Sequence, residues 1–219
     1  MAQSAFAAPR SVNDSGSVRI THGQLPPQVA AKIARRIEEL SDLNAQAVGI
    51  ERIETLGPKE MIEAAYVIES SDHRPNRFDV WVVWSSIRQA DGASREISHE
   101  VVVEINSVLD DGRTAMTTLI SEVAALMGRW VKLESVQVHH RSQKTSLARA
   151  IQTHRKRFAA RSVSHPIAEA ETVIKRVNLQ RFEECLQNRH VRILTADEVD
   201  RLTLDSMGDE PAHPFSRPR

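Results

Sequence analysis

A cationic stretch without carboxylates holds the residues best suited to bind a charged partner. No Asp or Glu occurs between Glu134 and Glu169, although the whole chain balances 29 basic against 29 acidic residues. Guanidinium and ammonium groups form charge-assisted hydrogen bonds with phosphate and carboxylate, so this stretch favours an anionic partner. The nucleic-acid-binding residues that the pattern predicts are Arg141, Lys144, Arg149, Arg155, Lys156, Arg157 and Arg161.

Residues 142–161 have the periodicity of an amphipathic, basic helix. Its apolar stripe consists of Leu147, Ile151, His154 and Phe158. Arg149 and Lys156 lie opposite that stripe, the other cations flank it, and His139 and His140 precede it. Binding of a polyanion to such a surface releases counterions and weakens with salt. Because no zinc-finger spacing, paired aromatics or helix-turn-helix pattern is present, the sequence does not distinguish DNA from RNA.

The distribution of charge also favours an alternative function, in which the basic helix docks on an acidic surface. Residues 38–122 hold 17 carboxylates and 7 lysines or arginines, a net of −10. Residues 129–161 hold 9 lysines or arginines and one glutamate, a net of +8. Pairing between unlike surfaces of neighbouring subunits builds rings or filaments. The alternative is therefore a homo-oligomeric structural or assembly protein, of the kind found in viruses and phages. A helix lying on an anionic membrane surface is a further possibility.

A metal-dependent nuclease is the second alternative, because Asp79 lies on a predicted strand and could hold Mg²⁺ together with Glu63 or Glu100. No lysine follows at a suitable spacing, and the nine histidines are scattered. Cys185 follows two glutamates, which raise the pKa of a thiol and reduce its nucleophilicity. The sequence therefore predicts a non-enzymatic protein with no catalytic residues, no metal ligands and no cofactor.

Several other elements must position the basic helix. The first is a predicted helix that begins at Pro26-Pro27 and ends near Leu43. Alternating apolar residues then predict strands at 48–55, 61–70, 77–87, 96–108 and 130–138. The third of these strands is apolar on both faces, which predicts a central position covered on both sides. Between the last two strands, Asp110-Asp111 is typical of a helix N-terminus and Gly128 of its end.

This order predicts an α+β fold, with an antiparallel sheet of four to five strands and helices on one face, followed by a helical C-terminal extension. The α+β domain is expected at 25–139, and the extension at 140–207 includes the basic helix 142–161. Two more helices are expected in the extension, at 166–187 and 196–204. Residues 1–24 are interpreted as a flexible N-terminal arm and 208–219 as a disordered tail.

The expected location is the cytoplasm, or a virion if the assembly hypothesis holds. The single cysteine excludes an intramolecular disulfide. No apolar run approaches the roughly 20 residues of a transmembrane helix. The N-terminus lacks the charged start and long apolar core of a secretory signal.

Overall fold

The computed structural model describes residues 17–54, 60–72, 74–90, 97–120 and 133–189, together with Thr195. Three α-helices are present in this part of the chain: α1 (Pro27–Asp42), α2 (Leu147–Phe158) and α3 (Ala170–Gln187). The strands are β1 (Ser17–Arg19), β2 (Gln46–Glu54), β3 (Glu60–Glu69), β4 (Arg77–Ala90), β5 (Ile97–Val108), β6 (Thr114–Ile120), β7 (Val136–Ser142) and β8 (His165–Pro166).

All eight described strands belong to one sheet in the order β1-β2-β3-β4-β5-β6-β7, with β8 paired to β4. Neighbouring strands are antiparallel, except that β6 and β7 are parallel. The predicted mixed α+β class is confirmed, but the sheet is larger than the four to five strands expected. The additional strands are the short β1 at the edge of the sheet, the short β8 paired with the start of β4, and β6, where the sequence predicts a helix.

Strand β4 occupies the centre of the sheet, as its pattern of apolar residues predicts. Val80, Val82 and Trp84 face one core, whereas Trp81 faces a second core on the other side. Trp84 is fully buried, because β3 and β5 flank it and helices cover it. Burial of aromatic side chains of this size contributes much of the stability of a core that has few aromatics.

Helices cover both faces of the sheet, and the prediction of helices on one face is wrong. Helices α1 and α2 pack over the larger core through Val29, Ile33 and Leu147. Helix α3 packs over the smaller core through Val173 and Val177. The central strands carry apolar side chains on both faces of the sheet, so helices must pack on both faces to bury them. The helices after residue 140 therefore pack on the sheet.

The helix predicted after Asp110-Asp111 is also wrong over residues 114–120, which form β6 and pair with β5. A tight turn precedes β6, and Gly112 adopts a φ of +81° there, which favours glycine. The Asp111 carboxylate accepts a hydrogen bond from the Arg113 backbone N–H. This stretch is rich in threonine, a β-branched residue that fits a pleated sheet better than a helix. Residues 121–132, which include the predicted helix end at Gly128, lie outside the described residues.

The remaining boundaries differ from expectation mainly at element ends. Part of the predicted N-terminal arm forms β1 and a 3₁₀ turn at His22–Gln24. The basic helix is shorter than 142–161, because β7 continues to Ser142 and a 3₁₀ turn follows Phe158. The predicted helix 196–204 and the tail 208–219 lie outside the described residues. None of the described helices is both long enough and apolar enough to cross a bilayer.

Candidate nucleic-acid interface

Helix α2 carries most of the predicted interface, and its start is fixed by two capping contacts. The Ser146 hydroxyl accepts a hydrogen bond from Arg149 N, and the Glu39 carboxylate of α1 accepts one from Leu147 N at 3.2 Å. Both acceptors satisfy N–H groups that a helix N-terminus leaves unpaired. Arg155, Lys156 and Arg157 lie in the last turn, where the helix dipole favours positive charge.

Helix α1 also holds the loop that leads into α2. The Arg36 guanidinium donates to the carbonyl oxygens of Gln143 and Thr145, at 2.7 and 3.1 Å, and pairs with Glu39 at 2.6 Å. The two contacts to carbonyl oxygens link residues more than 100 positions apart in the sequence. They orient the outer face of α2 relative to the sheet.

His154 lies on the buried side of α2 and is not part of the charged surface. It is 1% exposed, and its Nε2 and Nδ1 atoms each lie 2.9 Å from a hydroxyl, of Ser107 and Thr117 respectively. The Ser107 hydroxyl donates to the Asp79 carbonyl, so His154 Nε2 must donate to Ser107 and Nδ1 must accept from Thr117. Burial, with a smaller contribution from Arg155, lowers the pKa of His154 to about 4. The imidazole is therefore neutral near pH 7.

Two of the seven predicted cations are paired with carboxylates of the same chain. Arg155 lies 2.9 Å from the Asp79 carboxylate and also donates to the Glu69 carbonyl oxygen. Arg161 pairs with Asp110 and Asp111, at 2.9 and 2.5 Å. Those pairs raise the pKa of Arg161, and hydrogen bonds from Arg113, with a smaller contribution from Arg161, lower the pKa of Asp111. Arg155 and Arg161 therefore hold the basic stretch against the sheet.

Asp79 can meet Arg155 because β4 contains a β-bulge at this point. Ile68 pairs with Val80 and Glu69 pairs with Phe78, which leaves Asp79 as an extra residue. A bulge redirects a side chain out of the regular alternation of a strand.

Arg157 leans from α2 towards strand β7. It lies 3.3 Å from His139 Nδ1, and its guanidinium stacks over the Phe158 ring at 5.6 Å from the centroid. Partial burial, then the charges of Arg157 and Arg141, lower the pKa of His139. Parallel pairing of Thr117 with His139 and of Leu119 with Arg141 places both β7 residues on the α2 side of the sheet.

The basic surface consists of the five predicted cations that remain exposed: Arg141, Lys144, Arg149, Lys156 and Arg157. Arg149 and Lys156 are seven positions apart, so they lie on the same outward stripe of α2. None of the five side chains forms an ion pair with a carboxylate in the described part of the chain. The surface therefore presents positive charge from both α2 and the edge strand β7.

The arrangement required for the nuclease alternative is not formed. Glu63 pairs across the sheet with Ser85, and Glu100 pairs with Ile87, so both lie several residues along β4 from Asp79. Asp79 is instead paired with Arg155. Among the described residues, no group of three or more His, Cys, Asp or Glu side chains is arranged to hold a metal ion.

Cys185 follows the expectation from its neighbours in sequence. Partial burial, then the charge of Glu184, raises the pKa of its thiol. Glu184 itself accepts hydrogen bonds from the backbone N–H groups of Glu134 and Ser135. A thiol with a raised pKa is a poor nucleophile at neutral pH.

Sequence reasoning missed a cavity on the α3 side of the sheet, opposite the basic surface. Its lining includes Glu51, Glu63 and Lys175, which belong to three different elements. Glu51 and Glu63 occupy facing positions on β2 and β3. The sequence shows that both residues are negatively charged, but only the register of the two strands shows that they face each other.

Comparisons of this chain with protein-family models, with curated proteins and with solved structures found no match.

Proposed function

We propose that this protein binds nucleic acid, DNA or RNA, through the basic surface and without catalysing a reaction. The supporting observation is the division of the seven predicted cations into two groups. Arg155 and Arg161 pair with carboxylates and fix α2 on the sheet, whereas the other five point outward without such pairs among the described residues. Fixed cations on a helix and a neighbouring strand suit contacts to phosphates, which position a protein on nucleic acid.

The test compares binding of the full chain to mixed-sequence DNA and RNA duplexes and single strands, by fluorescence anisotropy at several salt concentrations. Wild-type affinity should fall steeply with salt. A variant with Arg149→Gln, Lys156→Gln and Arg157→Gln should bind at least about tenfold more weakly and lose up to roughly three units of salt slope, about one per phosphate contact.

Arg176→Gln provides the matched control, because Arg176 is exposed on α3 at the other face of the sheet. This control should bind like the wild type. Failure of the wild type to bind at low salt, or binding that does not depend on salt, would contradict the proposal. Equal losses for the control and the triple variant would assign the effect to net charge and not to the basic surface.

A self-assembling structural protein is the second candidate, with the basic surface docked on an acidic surface of a neighbouring subunit. The observation that favours it is a group of glutamates on the α3 side of the sheet, where burial, then the charges of Glu104 and Glu51, raises the pKa of Glu63. These glutamates lie on the face of the sheet opposite the basic surface, together with basic residues such as Lys175 and Arg181. Such heterologous contacts repeat from subunit to subunit.

A further inference from the structure

The cavity on the α3 side of the sheet has a volume of about 100 Å³ and lies between α3 and strands β1 to β4. Val48, Ala65, Val83 and Ile174 form apolar walls, and Glu51 and Glu63 contribute carboxylates. An engineered cavity of roughly 150 Å³ binds benzene, so a cavity of this size accommodates a ligand of a few heavy atoms. It is therefore large enough for one small charged group and a short aliphatic stem.

The Glu63 carboxyl is the unusual group in this cavity. Glu63 as a residue is partly exposed, whereas its carboxyl is surrounded by protein atoms, and it forms no hydrogen bond or ion pair with a described residue. Glu51 lies directly opposite on β2, and Glu104 is also near. Like charges in facing positions of a sheet destabilise it. The charge of Arg181 near Glu63 and that of Lys175 near Glu51 offset part of this negative charge.

The basic side chains around the cavity are engaged elsewhere. Lys175 pairs with Glu171 at 2.7 Å, and Arg181 pairs with Glu104 at 3.5 Å and donates to Asn106. Arg19 faces Glu51 across β1 and β2, but its guanidinium lies over Gly49 and donates to the Val48 carbonyl at 2.6 Å. None of these groups forms an ion pair with the Glu63 carboxyl, although the charge of Arg181 favours its ionised form.

We infer that this cavity binds a small organic cation, an alkylammonium or alkylguanidinium group, with Glu63 as its main anionic partner and Glu51 as the second. The ammonium or guanidinium group donates to the two carboxylates, and the aliphatic stem packs against Val83 and Ile174. A pocket with apolar walls and a few convergent polar groups is the usual form of a small-molecule site. The site goes beyond nucleic-acid binding and uses the opposite face of the sheet.

The acid–base behaviour of Glu63 supports this inference and supplies a second readout. Burial, then the charges of Glu104 and Glu51, raises the pKa of Glu63 to about 7. A bound cation stabilises the ionised carboxylate, so binding below pH 7 must release a proton. Affinity should therefore weaken as the pH falls from 8 to 5, since the cation then competes with a proton.

The experiment is calorimetric titration of the full chain with butylammonium, and with butyrate as a probe of equal size and opposite charge. We expect butylammonium to bind at pH 8 with a Kd on the order of 1 mM, as suits a ligand of so few atoms. At pH 6, the heats in two buffers of different ionisation enthalpy should reveal proton release. Glu63→Gln should weaken binding about tenfold or more and abolish that release, and Glu51→Gln should weaken it less.

Glu183→Gln serves as the matched control, because Glu183 is exposed on α3 and does not line the cavity. It should retain binding within about twofold. The inference is overturned if butylammonium does not bind at about 50 mM, if butyrate binds as well, or if Glu63→Gln binds like the wild type. The nucleic-acid proposal is unaffected by these outcomes, since none of its residues lines the cavity.

Discussion

At the scale of single residues, His154 connects the basic helix to the sheet as a neutral imidazole. Its two nitrogens form hydrogen bonds with the hydroxyls of Ser107 and Thr117. The Ser107 hydroxyl in turn donates a hydrogen bond to the backbone carbonyl of Asp79. A buried polar group of this kind contributes stability only while each of its partners remains in place. His154 therefore positions α2, and through it the cations on the outer side of that helix.

The pH dependence of stability should report this role. The folded pKa of His154, about 4, lies below its unfolded value of 6.5, so the unfolded chain binds more protons between these pH values. This residue's contribution to stability is complete above pH 6.5 and is lost as the pH falls towards 4, by about 3 kcal/mol. Glu63 has a raised pKa in the folded chain, so the folded state binds more protons at this residue between pH 4.5 and 7. Its contribution to stability therefore increases as the pH falls through this range.

The measurement is urea unfolding of wild type and His154→Gln between pH 4 and 8. At pH 7 the variant should be less stable by roughly 1–3 kcal/mol, because it leaves a buried hydroxyl without a partner. The difference from wild type should shrink as the pH falls through 6.5. Gln152→Ala, an exposed change on the same helix, should follow the wild-type curve. A difference that stays constant with pH would show that His154 is not buried in its neutral form.

At the scale of elements, α2 is attached to the sheet by charge as well as by apolar packing. The Arg155–Asp79 pair lies on the flank of α2 towards β4, and Arg36 and Glu39 of α1 hold its N-terminal end. Asp79 has a side chain only 8% exposed, so the loss of its cation would leave a nearly buried carboxylate. Breaking such a pair from one side is strongly destabilising.

Arg155→Gln should therefore lower the free energy of unfolding by an amount on the order of 2–4 kcal/mol. Lys156→Gln, the adjacent exposed change, should stay within about 0.5 kcal/mol of wild type. A double-mutant cycle with Asp79→Asn, followed by thermal or urea unfolding, measures the coupling between the two side chains. Equal effects of the Arg155 and Lys156 changes, or a coupling near zero, would mean that the ion pair does not hold α2 in place.

At the scale of the whole molecule, the neutral net charge conceals an uneven distribution of charge over the two faces of the sheet. The basic surface lies over α2 and β7, and the acidic group of Glu51, Glu63 and Glu104 lies on the α3 side. A molecule with this distribution can attract a polyanion on one face and a second copy of itself on the other. Salt screens both interactions, but only self-association raises the mass of the protein in the absence of nucleic acid.

Light scattering of the nucleic-acid-free protein across a range of concentrations distinguishes the two candidate functions. If subunits assemble through these faces, the mean mass should rise with concentration, fall with added salt and drop to that of the monomer in Lys156→Glu. A constant monomer mass at high concentration and low salt would remove the assembly candidate. Arg176→Glu should not dissociate the oligomer, because Arg176 lies outside the basic surface.

Much of the central architecture could be predicted from local sequence, because it depends on local periodicity. The apolar residues of β4 alternate on both faces, which places this strand at the centre of any sheet. The helix predicted over residues 114–120 is wrong because Met116, Leu119 and Ile120 fit the apolar stripe of a helix as well as they fit a strand. Pairing with β5 stabilises the strand conformation of this stretch. Local periodicity contains no information about that pairing.

Local sequence is enough to show that positive charge is concentrated on one amphipathic helix and its approach, because the spacing of cations and apolar residues along a helix fixes which of them share a face. Which of those cations remain available depends on the fold. Arg155 meets Asp79 across 76 positions and Arg161 meets Asp110 across 51, through a bulge and a turn. Charges pair through space, and the fold sets those distances, so the sequence order of acids and bases does not reveal which are neutralised.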